Sequence, residues 1–314
     1  MRKIAVCGVW HVHAPDYTKA AMDRCEVIGV WDENADRKNE FCERFGLKAF
    51  ADLDELLASE ADGVIVCAST DTHADIMVKI ADAKKDIFTE KVLALSDEDC
   101  ERVAEAVERN QVKFVISLVQ KYCPGPLTVK SVVDSGELGK IAYVRFRNCH
   151  NGSTANWLPK HFYNQKECGG GAMIDLGAHG MYLVHWLLGM PDTFRSTFTV
   201  ACEDPAVLRK NADRVEDNAV TVMGYENGAI AINETGFVSN YSPVTLEVFG
   251  ERGYVRMVGD RVVKRVSGSD GEIEVALPDA EPLPIVQFLT GDVREGYGMA
   301  EAKALTHMMV KAYE

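Results

Sequence analysis

The 314-residue chain predicts a doubly wound parallel α/β domain followed by an α+β domain with an open, mostly antiparallel sheet. Two observations carry this reading. In the first third, short, wholly apolar runs alternate with amphipathic stretches, the pattern of a parallel sheet covered on both faces. After "KYCPGP" apolar residues alternate singly with polar ones, as in strands with one buried face. The length suits two domains, each large enough to bury a core.

The first strands are expected at 3–7, 26–31 (EVIGVW), 63–67 (GVIVC), 86–89 and 113–117 (KFVIS). Helical patterns separate them: "ADRKNEFCERFG", "DLDELLAS", "THADIMVKIADAKK" and "SDEDCERVAEAVERNQ". A helix at 127–134 then leads through "SGELGK" into the alternating "IAYVRFRN". Further period-two segments fall near 196–202, 218–224, 228–234, 244–249 and 253–257, several bounded by glycine turns such as "ENGA" and "GERGY". The last segment, "MAEAKALTHMMVKAYE", reads as a helix packing back onto the body. The boundary is placed at 121/122, giving domains 1–121 and 122–314.

Composition narrows the function classes. Hydrophobic content of 47% and charged content of 26% are ordinary for a globular protein. The formal net charge of −14 argues against general affinity for nucleic acid or an anionic membrane. No apolar run approaches the ~20 residues of a membrane span. The opening "MRKIAVCGVW" is interrupted by His11, His13 and Asp16 and is not read as a signal peptide. Nine cysteines, none in a C-x-x-C pair, predict neither structural zinc nor a disulfide framework and fit a reducing cytoplasm. No metal is expected.

Gly8 ends the first strand, where a dinucleotide-binding G-x-G-x-x-G would begin, but Trp10 and His13 stand at its second and third glycine positions. "APDYTKAAM" then opens a helix whose N–H groups could face a pyrophosphate. Asp32 follows Gly8 by twenty-four positions, about where an acidic residue accepts hydrogen bonds from the ribose of NAD; its bland reading is a turn or N-cap. Thr70, Thr72 and His73 fall at the carboxyl edge of the predicted sheet, where such folds bind ligands; helix capping by Ser69 or Thr72 is the alternative. Glu90-Lys91 ends another strand, either merely solvated or placing a cation near a reacting oxygen. In "GGGAMIDLGAHGMYLVHWLLG", Asp175 and His179 stand four apart on one face of an otherwise apolar helix. A lone histidine there is usually a core residue; with an aspartate one turn away, proton exchange is the better reading.

Taken in order, Gly8 with Asp32, "STDTHAD", Glu90-Lys91, "DSGELGKIAYVRFR", "GGGAMIDLGAH", "MGYENGAIAINETGF" and "LEVFGERGYVRM" make the chain resemble the Gfo/Idh/MocA oxidoreductases, the glucose–fructose oxidoreductase and inositol dehydrogenase family. The resemblance implies an N-terminal Rossmann domain that binds NAD, and a C-terminal domain whose sheet faces the substrate and mediates homo-oligomers. It implies that Lys91, Asp175 and His179 are catalytic. Gly8, Trp10, His11, Val12, Asp32, Ser69, Thr70, His73, Glu90 and Lys91 are then expected to line the cofactor. Three departures stand out. The family's Glu-Lys-Pro is Glu90-Lys91-Val92, a position often Asp is Tyr182, and two glycines of the first turn have become side chains expected to face the cleft.

The expected reaction is hydride transfer between NAD and a secondary alcohol of a sugar, glycoside or inositol. The donor-rich loop "NCHNGSTANWLPKHFYNQK" offers Lys160, His161, Tyr163 and Asn164 as substrate contacts, with His13, Lys121 and Tyr182. A phosphorylated substrate would shift attention to Lys121, Arg145, Arg147 and Lys160. Two alternatives remain: the same site returning its hydride within one turnover, for elimination, epimerisation or glycoside cleavage, and a non-catalytic nucleotide sensor.

Overall fold

The computed structural model describes residues 1–314, which form two compact units. In the first unit, β1 (Lys3–Cys7), α1 (Ala14–Met22), β2 (Glu26–Trp31), α2 (Ala35–Phe45), α3 (Leu53–Ala58), β3 (Gly63–Val66), α4 (His73–Asp82), β4 (Asp86–Thr89), α5 (Asp97–Asn110) and β5 (Phe114–Ile116) follow one another. The strands pair only in parallel, in the order β2-β1-β3-β4-β5. Ile4 to Cys7 and Val64 to Val66 are fully buried, so the apolar runs are those of central strands covered on both faces. Strand order reverses between β1 and β3. There the carboxyl ends of two neighbouring strands open a crevice at which such sheets bind ligands, and Gly8 and Ala68 sit at that place.

The second unit starts at Val119. It contains α6 (Pro124–Asp134), β6 (Ile141–Cys149), α7 (Gln165–Cys168), α8 (Ala178–Leu188), β7 (Thr193–Thr199), α9 (Pro205–Lys210), β8 (Asn218–Gly224), β9 (Ile230–Gly236), β10 (Thr245–Gly250), β11 (Gly253–Val258), β12 (Arg261–Val266) and β13 (Ile273–Glu274). Its eight-stranded sheet runs β13-β12-β11-β10-β6-β9-β8-β7. Every pair is antiparallel except β6 with β9. That exception needs a long crossover, and the segment carrying α7, α8, β7 and β8 supplies it. Alternating burial along β8 and β9 leaves one face of the sheet apolar and covered. On the other face Glu234 pairs with Arg145 and lies near Arg147.

Two later helices complete the fold. α10 (Pro284–Thr290) and the residues of α11 (Met299–Tyr313) up to His307 belong to the first unit, and Met308–Glu314 to the second. A single boundary at 121/122 therefore differs from the compact units. Phe288 of α10 packs 5.8 Å from Phe88, the Arg2 guanidinium lies 4.6 Å over its ring, and Tyr297 accepts a hydrogen bond from Ile116 of β5. The final helix packs back as its pattern predicts. Both β12 and β13 lie beyond the strands the sequence pattern picks out.

Candidate active site

In the first unit the turn after β1 is built on Gly8, whose φ is +81° and whose added Cβ would lie 2.4 Å from the Ala68 nitrogen. No other residue type fits a left-handed backbone at that separation. Trp10 and His11 then donate their N–H groups to the Cys67 carbonyl, at 3.1 and 3.0 Å, which presses the turn onto the sheet edge. Val12 is 49% exposed. Trp10 is only 6% exposed; it walls a cavity of about 200 Å³ shared with Phe41, Arg37 and Arg44. It is thus more enclosed than the expected cleft-facing indole. His13 keeps 41% of its side chain exposed.

Asp32 is buried and saturated with donors. It accepts from the N–H groups of Val9 (2.7 Å) and Asn34 (2.8 Å) and from the Arg37 guanidinium at 2.8–3.1 Å. A crevice bounded by Gly8, Asp32, Ser69, Thr72 and Ile76 lies beside it. A carboxylate, hydroxyls and one apolar wall at the switch point fit the adenosine end of NAD, provided Arg37 yields its place to the ribose. Thr70 opens the short 3-10 turn Thr70–Thr72, and the Ser69 hydroxyl is spent on Asp71. Neither Ser69 nor Thr72 caps α4. His73 is fully buried, with its ring nitrogens 3.1 Å from the carbonyls of Ala68 and Val92. It is a brace between the loops after β3 and β4 rather than a surface turned to a cofactor; burial lowers its pKa.

Glu90 and Lys91 are buried after β4, and the Lys91–Val92 peptide bond is cis. The Glu90 carboxylate is gripped from several sides. One oxygen takes hydrogen bonds from Tyr17 and from His13 Nδ1 (2.8 Å), and the other accepts the Lys91 N–H (3.0 Å). Ser117 Oγ backs Tyr17 at 2.7 Å. Burial pushes the Glu90 carboxyl up, but His11, His13 and Lys91 together hold it well below the usual carboxylate range. Glu90 is therefore the anchor of Lys91's backbone. Tyr17 and Ser117 were not legible as site residues; the only sequence hint is an aromatic in the first turn of α1.

In the second unit, Gly169–Gly171 lead into a wide π-type turn, Met173–Gly177, that runs on into α8. Glu216 fixes this entry by accepting from the N–H groups of Gly171 (3.0 Å) and Met173 (2.9 Å) and from the Tyr313 hydroxyl (2.6 Å). Asp175 stands in the π-type turn rather than in a regular α-turn, and its charge acts on His150. His179 is 7% exposed. Its Nδ1 lies 2.8 Å from the Tyr182 hydroxyl, which accepts the Gln120 N–H at 2.9 Å. Tyr182 is thereby a positioning residue for the imidazole. The Lys121 ammonium rests 5.3 Å over the Trp186 ring.

The donor-rich loop corrects two expectations. Tyr163 is 1% exposed, bonds Ser153 and belongs to the apolar cluster with Phe162 and Phe237. Asn164 caps α7 by accepting from Lys166 and Glu167. Both are consumed by the fold. Lys160 is exposed and His161 partly buried. The residue displayed instead is Trp157, with His150 half-buried behind it. Trp157 is 53% exposed, and its indole N–H donates to Asn151 at 2.9 Å. His150 lies 4.7 Å behind it, stacked on Phe237 at 4.9 Å. Their signal in the sequence was the loop's aromatic and histidine content, which the polar candidates obscured.

Two family models divide the chain. Residues 2–118 match the oxidoreductase family's NAD-binding Rossmann fold, and residues 127–256 match the Gfo/Idh/MocA C-terminal domain. The chain belongs to the Gfo/Idh/MocA oxidoreductase family, and its first unit is an NAD-binding domain. Among similar proteins is an inositol 2-dehydrogenase of Salmonella typhimurium, 32% identical over 59% of this chain and 54% of the relative. The chain thus spans about half the length of that relative. A myo-inositol 2-dehydrogenase of Thermotoga maritima is 27% identical over 77% of this chain and 70% of its own. Among solved structures, levoglucosan dehydrogenase in complex with NADH matches 99% of this chain and 96% of its own, with a TM-score of 0.84 at 17% identity. That likeness is one of fold. No helix is long and apolar enough to cross a membrane.

Proposed function

We propose that this chain is an NAD-dependent dehydrogenase acting on a secondary alcohol of a neutral polyhydroxylated ring, an inositol, sugar or glycoside. The observation that carries it is the His179–Tyr182–Gln120 chain. With Nδ1–H donated to the Tyr182 oxygen, Nε2 keeps its lone pair and takes the alcohol proton. Bound NAD supplies the acceptor for the carbon-bound hydride. Lys91, its backbone held by Glu90, supports negative charge on the substrate oxygen. Asp175 orients a neighbouring hydroxyl. Trp157 offers a flat apolar face to the ring. Arg145 is committed to Glu234, with Arg147 close to it, which speaks against a phosphate subsite there. The chain works in the cytoplasm as a homo-oligomer, and Val222 and Ile230, 39% and 44% exposed on the second sheet, support a sheet-mediated contact.

The test is NADH formation and consumption across inositols, free sugars, glycosides, sugar phosphates and hydroxy acids. Turnover confined to phosphorylated or carboxylated compounds overturns the substrate class. Product without net NADH places the chain among enzymes that return the hydride within one turnover.

A further inference from the structure

We propose that His11, His13 and Glu90 form a binding site for one divalent transition-metal ion of the zinc class. One ligand atom from each of the three lies within 4.8 Å of the others. The His13–Glu90 separation is 2.8 Å and the His11–Glu90 separation 3.9 Å. Bonds of about 2.0–2.2 Å in a tetrahedron place ligand atoms about 3.3–3.5 Å apart, so small side-chain adjustments admit an ion. Two imidazoles and a carboxylate are the donor set of open zinc sites, with a fourth position left for solvent. Imidazole nitrogen favours zinc, cobalt, nickel or copper over magnesium or calcium.

His11 Nδ1 accepts the His13 backbone N–H at 3.3 Å and His13 Nδ1 donates to Glu90 at 2.8 Å, so a bound ion replaces both hydrogen bonds and the His13 Nδ1 proton leaves to solvent. The carboxylate ligand is already oriented: Tyr17 holds one oxygen and the Lys91 N–H the other, as outer groups do around metal ligands. Glu90 and His11 have side chains 2% and 7% exposed, while His13 at 41% provides the entry. The His11 and His13 ring centroids lie 4.7 Å apart. The H-x-H spacing was visible in the sequence, but Glu90 lies 77 residues further on, so the set assembles only through the fold. This site does not depend on the proposed dehydrogenase activity.

The experiment uses the full chain, expressed without a histidine tag and stripped with a chelator. Titration with Co²⁺ is expected to saturate at one equivalent, with visible bands of a tetrahedral nitrogen/oxygen site, and Zn²⁺ is expected to displace it. His13→Gln alters a half-exposed residue and is expected to keep the wild-type circular dichroism while weakening binding by roughly 100-fold. Failure of the wild-type chain to bind one equivalent at micromolar free metal overturns the proposal. So does equal binding by His13→Gln. A thiolate charge-transfer band would put the ion on one of the free cysteines and overturn it as well.

Discussion

The turn after β1 and the turn before α8 both begin as glycine signals, and they part company in what replaces or keeps the glycines. In the first, only Gly8 survives, at the one position where an added Cβ would strike the Ala68 backbone at 2.4 Å. The next two glycine positions carry Trp10 and His13, one walling a cavity and the other bonded to Glu90. In the second, Gly171 is kept where a Cβ would lie 2.0 Å from the Glu216 carbonyl oxygen. Glycine is dictated by backbone crowding, not by the motif as a string. Where crowding relaxes, the position becomes available for chemistry. The first turn therefore carries the proposed site groups on itself, while the second leads into the segment that carries Asp175 and His179.

The largest expected effects test whether each region contributes a reacting group. Lys91→Ala and His179→Ala should each lower kcat by roughly 10²-fold or more while NAD binding and the circular dichroism persist. Near-normal turnover in either variant removes that residue from the chemistry. The crowding argument is tested by Gly171→Ala. Its methyl meets backbone rather than a flexible side-chain end, so the chain must shift, at a cost of roughly 1–3 kcal/mol. A denaturation midpoint equal to wild type would show that the second turn has slack and that the contrast with the first is false.

Much of this was legible in the sequence, and the limits have physical causes. The central parallel strands announced themselves because a strand buried on both faces is a continuous apolar run. Strands β6 and β9 both showed by their alternation, but their parallel pairing did not, because pairing direction is a property of the connection. Asp175 and His179 were singled out by their four-residue spacing, and Lys91 with them by the family resemblance. Glu216 and Tyr313, which fix the entry to Asp175, were not, since a buried hydrogen-bond anchor has no local pattern. Tyr163 and Asn164 looked like ligand contacts for the same reason: polarity alone does not reveal whether a hydroxyl or amide is already spent on Ser153 or on the start of α7.

A smaller effect sharpens the loop comparison. Trp157→Ala should raise KM by up to about tenfold with kcat little changed, the scale of one lost ring-face contact; Tyr163→Phe, losing only an internal hydrogen bond, should leave KM alone. The reverse pattern would restore Tyr163 as a substrate contact. Smaller again is the effect of Arg37→Ala. It frees the Asp32 carboxylate from a competing guanidinium, so NADH should bind a few-fold more tightly and discrimination against NADPH should widen. Tighter NADPH binding by the variant would mean that Asp32 does not face the ribose.

The smallest expected effect concerns protons, and it compares His73 beside the first turn with His150 in the loop after β6. Burial lowers the pKa of His73, against hydrogen bonds to Val92 and Ala68 that raise it. Burial likewise lowers that of His150, against the Asp175 charge. Both rings are therefore neutral in the folded chain at pH values where an unfolded histidine, with a pKa of about 6.5, already takes a proton. The unfolded state then binds more protons, so stability falls as pH drops below about 6.5 and is fully retained above it. Nuclear magnetic resonance of the imidazole protons should show both residues titrating below that value. Thermal midpoints should fall across the same window, with the His150 share removed in His150→Phe, whose ring can keep the stack on Phe237. Either ring titrating at or above the ordinary value would mean that the protonated form is accommodated. For His73 that would make both carbonyl contacts donor bonds of a cation, and the brace beside the first turn would carry charge.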